Sequence, residues 1–191
     1  MKKAEELRRL EAACHKCRKC AIGGKRPDGL LANVFSNMCI KARIMVVGQN
    51  PGEIEVRKSR PFVGPSGAFF DKCLKEIVGV DRSNLYITNI VKCFTPNNRA
   101  PKPNEIDNCR PQFLDEEIAI IKPKLIITLG SYALKQITGM SGITKVQGDI
   151  QFSIRYKTDV LPLYHPSPLN MNSAAKRTDF MKAIKKIGDY I

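Results

Sequence analysis

Residues 43–47, Arg43-Ile44-Met45-Val46-Val47, form a short apolar run stopped by Gly48. A run of this length, apolar on both faces and bounded by a turn residue, reads as a strand buried in a parallel sheet. Residues 85–91 and 124–129 repeat the pattern, and residues 151–156 and 159–164 read as further strands. Helical spacing fills the gaps. Phe69, Phe70, Cys73, Leu74, Ile77 and Val78 share one face of residues 67–78, and Gly79 ends that run. Asn104 has the character of a cap for a helix reaching about residue 121, with a bend at Pro111, and residues 131–138 form a short helix. An amphipathic helix opens the chain at residues 3–13. A basic one closes it at residues 173–191, with Phe180, Ala183, Ile184 and Ile187 on one face. Strands alternating with helices predict a three-layer α/β/α sandwich around a central, mainly parallel four-stranded sheet.

In such sheets ligands sit beyond the carboxyl ends of the strands. Gly48 follows the first strand, Asn89 ends the second and His165 follows the last. Three separate segments therefore aim at one crevice. The length, 191 residues, suits one domain over residues 1–191.

The chain carries 32 Lys and Arg against 18 Asp and Glu, a formal charge of +14. Such a balance attracts polyanions, with nucleic acid ahead of an anionic membrane surface; lysine used for solubility is the competing explanation. No apolar run reaches the length of a membrane span, and the N-terminus reads as a helix and not a signal peptide, which predicts a cytoplasmic, prokaryotic-type protein acting as a monomer. Seven cysteines in a reducing compartment are not expected to be disulfides. Cys14, Cys17 and Cys20 form overlapping CxxC pairs, whereas Cys39, Cys73, Cys93 and Cys109 lie apart. A CxxC followed by two distant cysteines reads as a four-thiolate metal or cluster site.

Taken in order, several motifs resemble the uracil-DNA glycosylase superfamily, above all its iron–sulfur branch, called family 4. They are the N-terminal CxxC, Met45-Val46-Val47-Gly48-Gln49-Asn50-Pro51-Gly52, Arg60-Pro61-Phe62-Val63-Gly64-Pro65-Ser66-Gly67, Tyr86-Ile87-Thr88-Asn89-Ile90-Val91-Lys92-Cys93, Asn98-Arg99-Ala100-Pro101, Cys109, Ile143-Thr144-Lys145-Val146-Gln147-Gly148 and His165-Pro166-Ser167. The first loop departs from family 4. Gln49 stands where that branch has Glu, and Asn50 where it has a small residue. Pro168 and Leu169 after Ser167 are closer to the cluster-free branch.

The resemblance implies base flipping out of DNA, single- or double-stranded, and hydrolysis of the N-glycosidic bond. Asn89 would accept from uracil N3–H and donate to O4, a pattern cytosine lacks; by itself it reads more readily as a turn asparagine capping a strand end, and the surrounding motif favours the functional role. Gln49, Phe62 and Asn98 would complete the base pocket, with the Phe62 ring stacking on uracil unless it is simply core. His165 would stabilise charge growing on O2, as a neutral imidazole. Asn50 can orient a water but not deprotonate it, so Glu55 is the candidate water activator. Gly52 occupies the position where a thymine-excluding side chain stands in another branch. Ser167 and Pro168 would pinch phosphates and Leu169 would wedge into the vacated stack. Lys176 and Arg177 would either add a phosphate-binding face or form a solvated one. Cys17, Cys20, Cys93 and Cys109 would hold a 4Fe–4S cluster, with Cys14 as the alternative ligand and zinc as the competing metal; residues 1–40 and 93–109 would form that edge.

Removal of uracil from DNA is thus the expected activity. Asn50 and Gly52 keep open a glycosylase for another base, such as hypoxanthine or mismatched thymine. The remaining alternative is a cluster-bearing DNA-binding protein without turnover.

Overall fold

A computed structural model describes residues 2–191; Met1, the first residue of the expected domain, lies outside them. The elements run α1 (Lys2–Lys16), β1 (Ile44–Gly48), α2 (Glu53–Lys58), α3 (Pro65–Cys73), β2 (Leu85–Asn89), α4 (Pro103–Cys109), α5 (Asp115–Ile121), β3 (Leu125–Leu129), α6 (Ser131–Thr138), α7 (Ile143–Val146), β4 (Gln151–Ser153), β5 (Thr158–Leu163), α8 (Pro168–Met171) and α9 (Ala174–Ile184). The sheet order is β2-β1-β3-β5-β4.

The four strands β2, β1, β3 and β5 are parallel, as the apolar runs predict. The expected count of four is corrected to five: the short β4 adds an antiparallel edge, Gln151 opposite Val160 and Ser153 opposite Thr158. A tight hairpin lets β4 reach β5 without a crossover, which is why an antiparallel strand closes an otherwise parallel sheet. The opposite edge, β2, is covered by residues 32–37, through bridges Ser36–Thr88 and Asn33–Cys93 and a bond from Val34 N–H to the Lys92 carbonyl at 2.8 Å. That cover removes an exposed strand edge.

Side chains alternate across the sheet and build two cores. Met45, Val47, Tyr86, Ile126 and Val160 pack with Leu7 of α1, Ile106 of α4 and Ile118 of α5. Val46, Ile87, Ile127, Leu161 and Leu163 face the other way, against Phe70 of α3 and Phe180 and Ile184 of α9. These are the two outer layers of the sandwich. The bend foreseen at Pro111 is a π-helical turn, Arg110–Leu114, between α4 and α5; proline supplies no N–H to continue the α ladder. The last helix stops being α-helical at Ile184 and finishes as a 3₁₀ turn, Lys185–Tyr190. Among the described residues no helix is long and apolar enough to cross a membrane.

Candidate active site

Parallel pairing sets Gly48 opposite Asn89 at the carboxyl ends of β1 and β2. The chain beyond stays attached, with Ile90 N–H on the Gly48 carbonyl at 2.9 Å and Val91 N–H on the Gln49 carbonyl at 3.0 Å. A Cβ on Gly48 would stand 2.4 Å from Phe62 Cζ and 2.6 Å from Asn89 Oδ1. The Phe62 ring and the Asn89 amide therefore converge on a backbone that only glycine leaves open. The Phe62 and His165 ring centroids are 6.2 Å apart. His165 comes from the segment after β5 and packs against Gly130, where a Cβ would lie 3.2 Å from the histidine Cβ.

Asn89 is 1% exposed. Both its Oδ1 and Nδ2 are buried without a hydrogen-bond partner among the described residues. Leaving such a group unpaired costs about 1–3 kcal/mol for each missing bond, so this amide is free to pair with a donor and an acceptor of a bound molecule. Burial lowers the His165 pKa below the ordinary histidine value, with Glu55 opposing part of that effect. The imidazole is therefore held neutral, as a hydrogen-bond donor and acceptor.

Phe62 has a left-handed backbone, φ 51°, which is unfavourable for a bulky residue. Three contacts hold it there. Glu55 Oε1 accepts from Val63 N–H at 3.0 Å and Gly64 N–H at 2.8 Å. Arg82 donates to the Phe62 and Pro61 carbonyls, each at 2.8 Å, while bonded to Asp71. Gly67 admits the turn, since a Cβ there would lie 1.9 Å from the Phe62 carbonyl oxygen.

The first loop is tied down by its own amides. Gln49 Nε2 donates to Asn50 Oδ1 at 2.9 Å, and Asn50 Nδ2 donates to the Pro51 carbonyl at 3.1 Å and to Thr95 Oγ1 at 3.3 Å. Gly52 has Glu55 as its close neighbour, and a Cβ would stand 2.7 Å from Glu55 Oε2. Asn98 lies on the exposed turn after Thr95, left-handed at φ 53°. Its N–H bonds the Thr95 carbonyl. Thr95 in turn accepts from Asn50 of the first loop.

Ser167 caps α8, its hydroxyl accepting from Asn170 N–H. Pro168 is exposed and Leu169 is 86% exposed, an apolar tip on the segment that carries His165. Asn170 Nδ2 donates to the His165 carbonyl at 3.0 Å, and Asn170 Oδ1 accepts from Lys176 Nζ at 3.4 Å. Lys176 also lies over the Tyr164 ring; Arg177 is exposed.

Beyond β2, one cavity is lined by Cys14, Cys17, Cys20, Cys93 and Cys109. All five are free thiols, and among the described residues no three His, Cys, Asp or Glu side chains stand as a ready metal-ligand set. Burial pushes the Cys109 thiol up to about 11 and Cys93 higher still. Charge on Cys17 or Cys20 would oppose ionisation of Cys93 and Cys109. The Lys92 main-chain N–H donates to Cys109 Sγ at 3.3 Å. Cys39 and Cys73 lie away from this cavity.

Residues 35–187 match the family described as the uracil DNA glycosylase superfamily. The chain belongs to the uracil DNA glycosylase superfamily. It is 38% identical over 189 residues to a type-4 uracil-DNA glycosylase of Sulfurisphaera tokodaii, across 93% of this chain and 83% of that protein. It is 37% identical over 179 residues to a type-4 uracil-DNA glycosylase of Thermotoga maritima, across 92% and 90%. A type-5 uracil-DNA glycosylase of Pyrobaculum aerophilum is 31% identical over 153 residues, across 70% and 65%.

For this superfamily member the sequence signals led to Asn89, Phe62, His165 and the loop glycines, and passed over the residues that hold them. Arg82, Asp71 and Asn170 carry no motif of their own: Arg82 holds carbonyls of a distant segment, Asp71 pairs with Arg82, and Asn170 holds the His165 carbonyl. Lys92 lay inside the Tyr86–Cys93 motif without being singled out, and Glu117 lay in none. A charged residue inside an apolar helix face, as Glu117 is beside Ile118 and Ile121, was the available sign of a buried pair.

Proposed function

We propose that this superfamily member is a DNA repair glycosylase that takes uracil out of the DNA stack and hydrolyses its N-glycosidic bond, leaving an abasic site. The observation carrying this reading is the buried, unpartnered Asn89 amide beside Phe62 and His165. Uracil offers that amide a donor at N3 and an acceptor at O4; cytosine offers the reverse polarity at both and leaves it unsatisfied. Phe62 stacks on the base. As the bond from C1′ to uracil N1 breaks, its electron pair leaves with the base and charge collects on O2, where neutral His165 donates. A water oxygen then bonds to the cationic C1′ and gives up its proton, while the departing uracil anion takes one up. Asn50 orients that water and Glu55 Oε2 is the carboxylate that receives its proton. Gln49 completes the pocket, while Asn98 supports it from the turn bonded to Thr95, whose hydroxyl holds Asn50.

On the DNA side, Leu169 fills the vacated stack, Ser167 and Pro168 contact phosphates, and Lys176 and Arg177 extend the basic face. The protein acts on single- or double-stranded DNA as a cytoplasmic monomer of one domain. Cys17, Cys20, Cys93 and Cys109 hold a 4Fe–4S cluster, Cys14 being the alternative ligand. Supporting this are their common cavity, the mutual repulsion of their thiolates, which bound iron relieves, and the N–H aimed at Cys109 Sγ. When bound, the cluster ties residues 1–40 to residues 93–109; zinc is the competing metal.

A wider base range is the second reading, favoured by Gly52, which puts no side chain where one could exclude a methyl group. Labelled oligonucleotides carrying uracil, hypoxanthine or a G·T pair, followed by alkaline cleavage, test both readings. Cleavage at uracil alone supports the first and cleavage at the others supports the second. No cleavage at any of them defeats the enzymatic account.

A further inference from the structure

The Asn89 side chain has no hydrogen bond among the described residues, so beyond packing beside Phe62 its direction is set by its main chain. That main chain is held from an unexpected quarter. Lys92, 0% exposed, donates from Nζ to the Asn89 carbonyl at 2.8 Å, to Thr88 Oγ1 at 2.5 Å and to Glu117 Oε2. An ammonium has three donors, and all three are used. Glu117, also 0% exposed, accepts from Tyr86 OH at 2.9 Å and lies 3.0 Å from Thr88 Oγ1. Thr88 and Asn89 point to opposite faces of the sheet by strand alternation. The charged pair therefore sits behind the sheet and grips the peptide whose other side faces the pocket.

A buried ion pair is a poor stabiliser, because desolvation of both charges offsets their attraction, and an apolar pair of similar volume does as well or better. This one spends its donors on the strand end that presents Asn89. Phe35 packs against the same ammonium, keeping water away from it. The residue also faces both ways along the chain, since its main-chain N–H is the one on Cys109 Sγ.

We infer that Lys92, fixed by Glu117, is a positioning residue for uracil recognition that acts solely through Asn89. The inference rests on the assignment of Asn89 as the group that reads the base.

A double-mutant cycle tests it with the full chain, using single-turnover uracil release from a uracil-containing oligonucleotide. The proteins are the parent, Asn89→Ala, the charge-neutral double change Lys92→Met with Glu117→Gln, and all three changes together. Removing both charges avoids leaving either one buried alone. The expected result is a loss of about 100-fold for Asn89→Ala, about 10-fold for the charge-neutral pair, and no further loss beyond about 2-fold when the pair is added to Asn89→Ala. Oligonucleotide affinity and iron content should match the parent, so that the loss falls on kcat. An undiminished rate for the charge-neutral pair, or the same 10-fold loss on top of Asn89→Ala, overturns the inference while leaving Asn89 in place. A parent-like rate for Asn89→Ala overturns instead the assignment it rests on. Lys92→Arg, which keeps the buried charge but cannot place three donors at one point, takes the pair's place in the cycle if the double change does not fold; the same additivity decides.

Discussion

Arg82 donates to the carbonyl of Phe62 at 2.8 Å, and the residue it grips is left-handed at φ 51°. The second terminal nitrogen takes the Pro61 carbonyl, and Asp71 completes the pair. A strained aromatic residue persists only where its surroundings over-determine it.

Arg82→Ala should therefore release the Phe62 loop. The expected cost is about 1–3 kcal/mol of stability, as a half-buried, charge-assisted pair of bonds is lost and Asp71 keeps an unpaired carboxylate. Uracil release should slow at temperatures where the variant is still folded. Lysine should not rescue it, because one ammonium cannot reproduce the fork. Thermal melting and single-turnover rates read both effects.

Glu55 has two tasks that chemistry can separate. Its Oε1 holds two amides of the same loop, and a glutamine oxygen can do that too. Only a carboxylate can take a proton from water. Glu55→Gln should melt within about 1 kcal/mol of the parent yet lose roughly 10- to 100-fold in rate, whereas Glu55→Ala should lose both stability and rate. Equal rates for the glutamine variant and the parent would leave Glu55 with the loop alone.

His165 gives the pH dependence. Burial holds its pKa below the ordinary 6.5. Between the folded value and 6.5 the unfolded chain carries a proton that the folded chain refuses. The resulting penalty is absent above 6.5 and grows as pH falls toward the folded value. His165→Asn should therefore lose less melting temperature than the parent between about pH 7 and about pH 5, and base release by the parent should persist below the ordinary histidine range. A parent rate that falls through 6.5 itself would contradict the neutral imidazole.

For the cysteine cavity, Cys93→Ala and Cys109→Ala should each abolish visible absorbance and matched iron and sulfide. Cys14→Ala should preserve them and Cys17→Ala should not. The opposite pattern would exchange Cys17 for Cys14 in the ligand set, and zinc without iron would replace the cluster.

The strand runs ending at Gly48, Leu129 and Leu163 announced the parallel sheet, because burial on both faces leaves an unbroken apolar signature. The fifth strand was legible as residues 151–156 but not as part of the expected sheet count, since a three-residue edge carries no alternation. Asn89 and His165 stood out because each lies where a strand gives way to a loop, and Phe62 because its loop between α2 and α3 matches a family motif. Arg82, Lys92 and Glu117 did not, because Arg82 holds carbonyls of a distant loop and Lys92 and Glu117 hold each other and the end of β2 across the core, and no spacing rule encodes that. Asn98 shows the reverse: it fits a motif, yet an exposed left-handed turn is a sufficient reason for asparagine there.

Uracil release compared with cytosine release, by the parent and by Asn89→Ala, puts the central claim to its most direct test. The parent should cleave at uracil and leave a matched cytosine oligonucleotide intact. Asn89→Ala should lose about 100-fold at uracil while keeping its grip on the oligonucleotide. Parent-like uracil release by Asn89→Ala, or cytosine released by the parent at a comparable rate, would contradict the account.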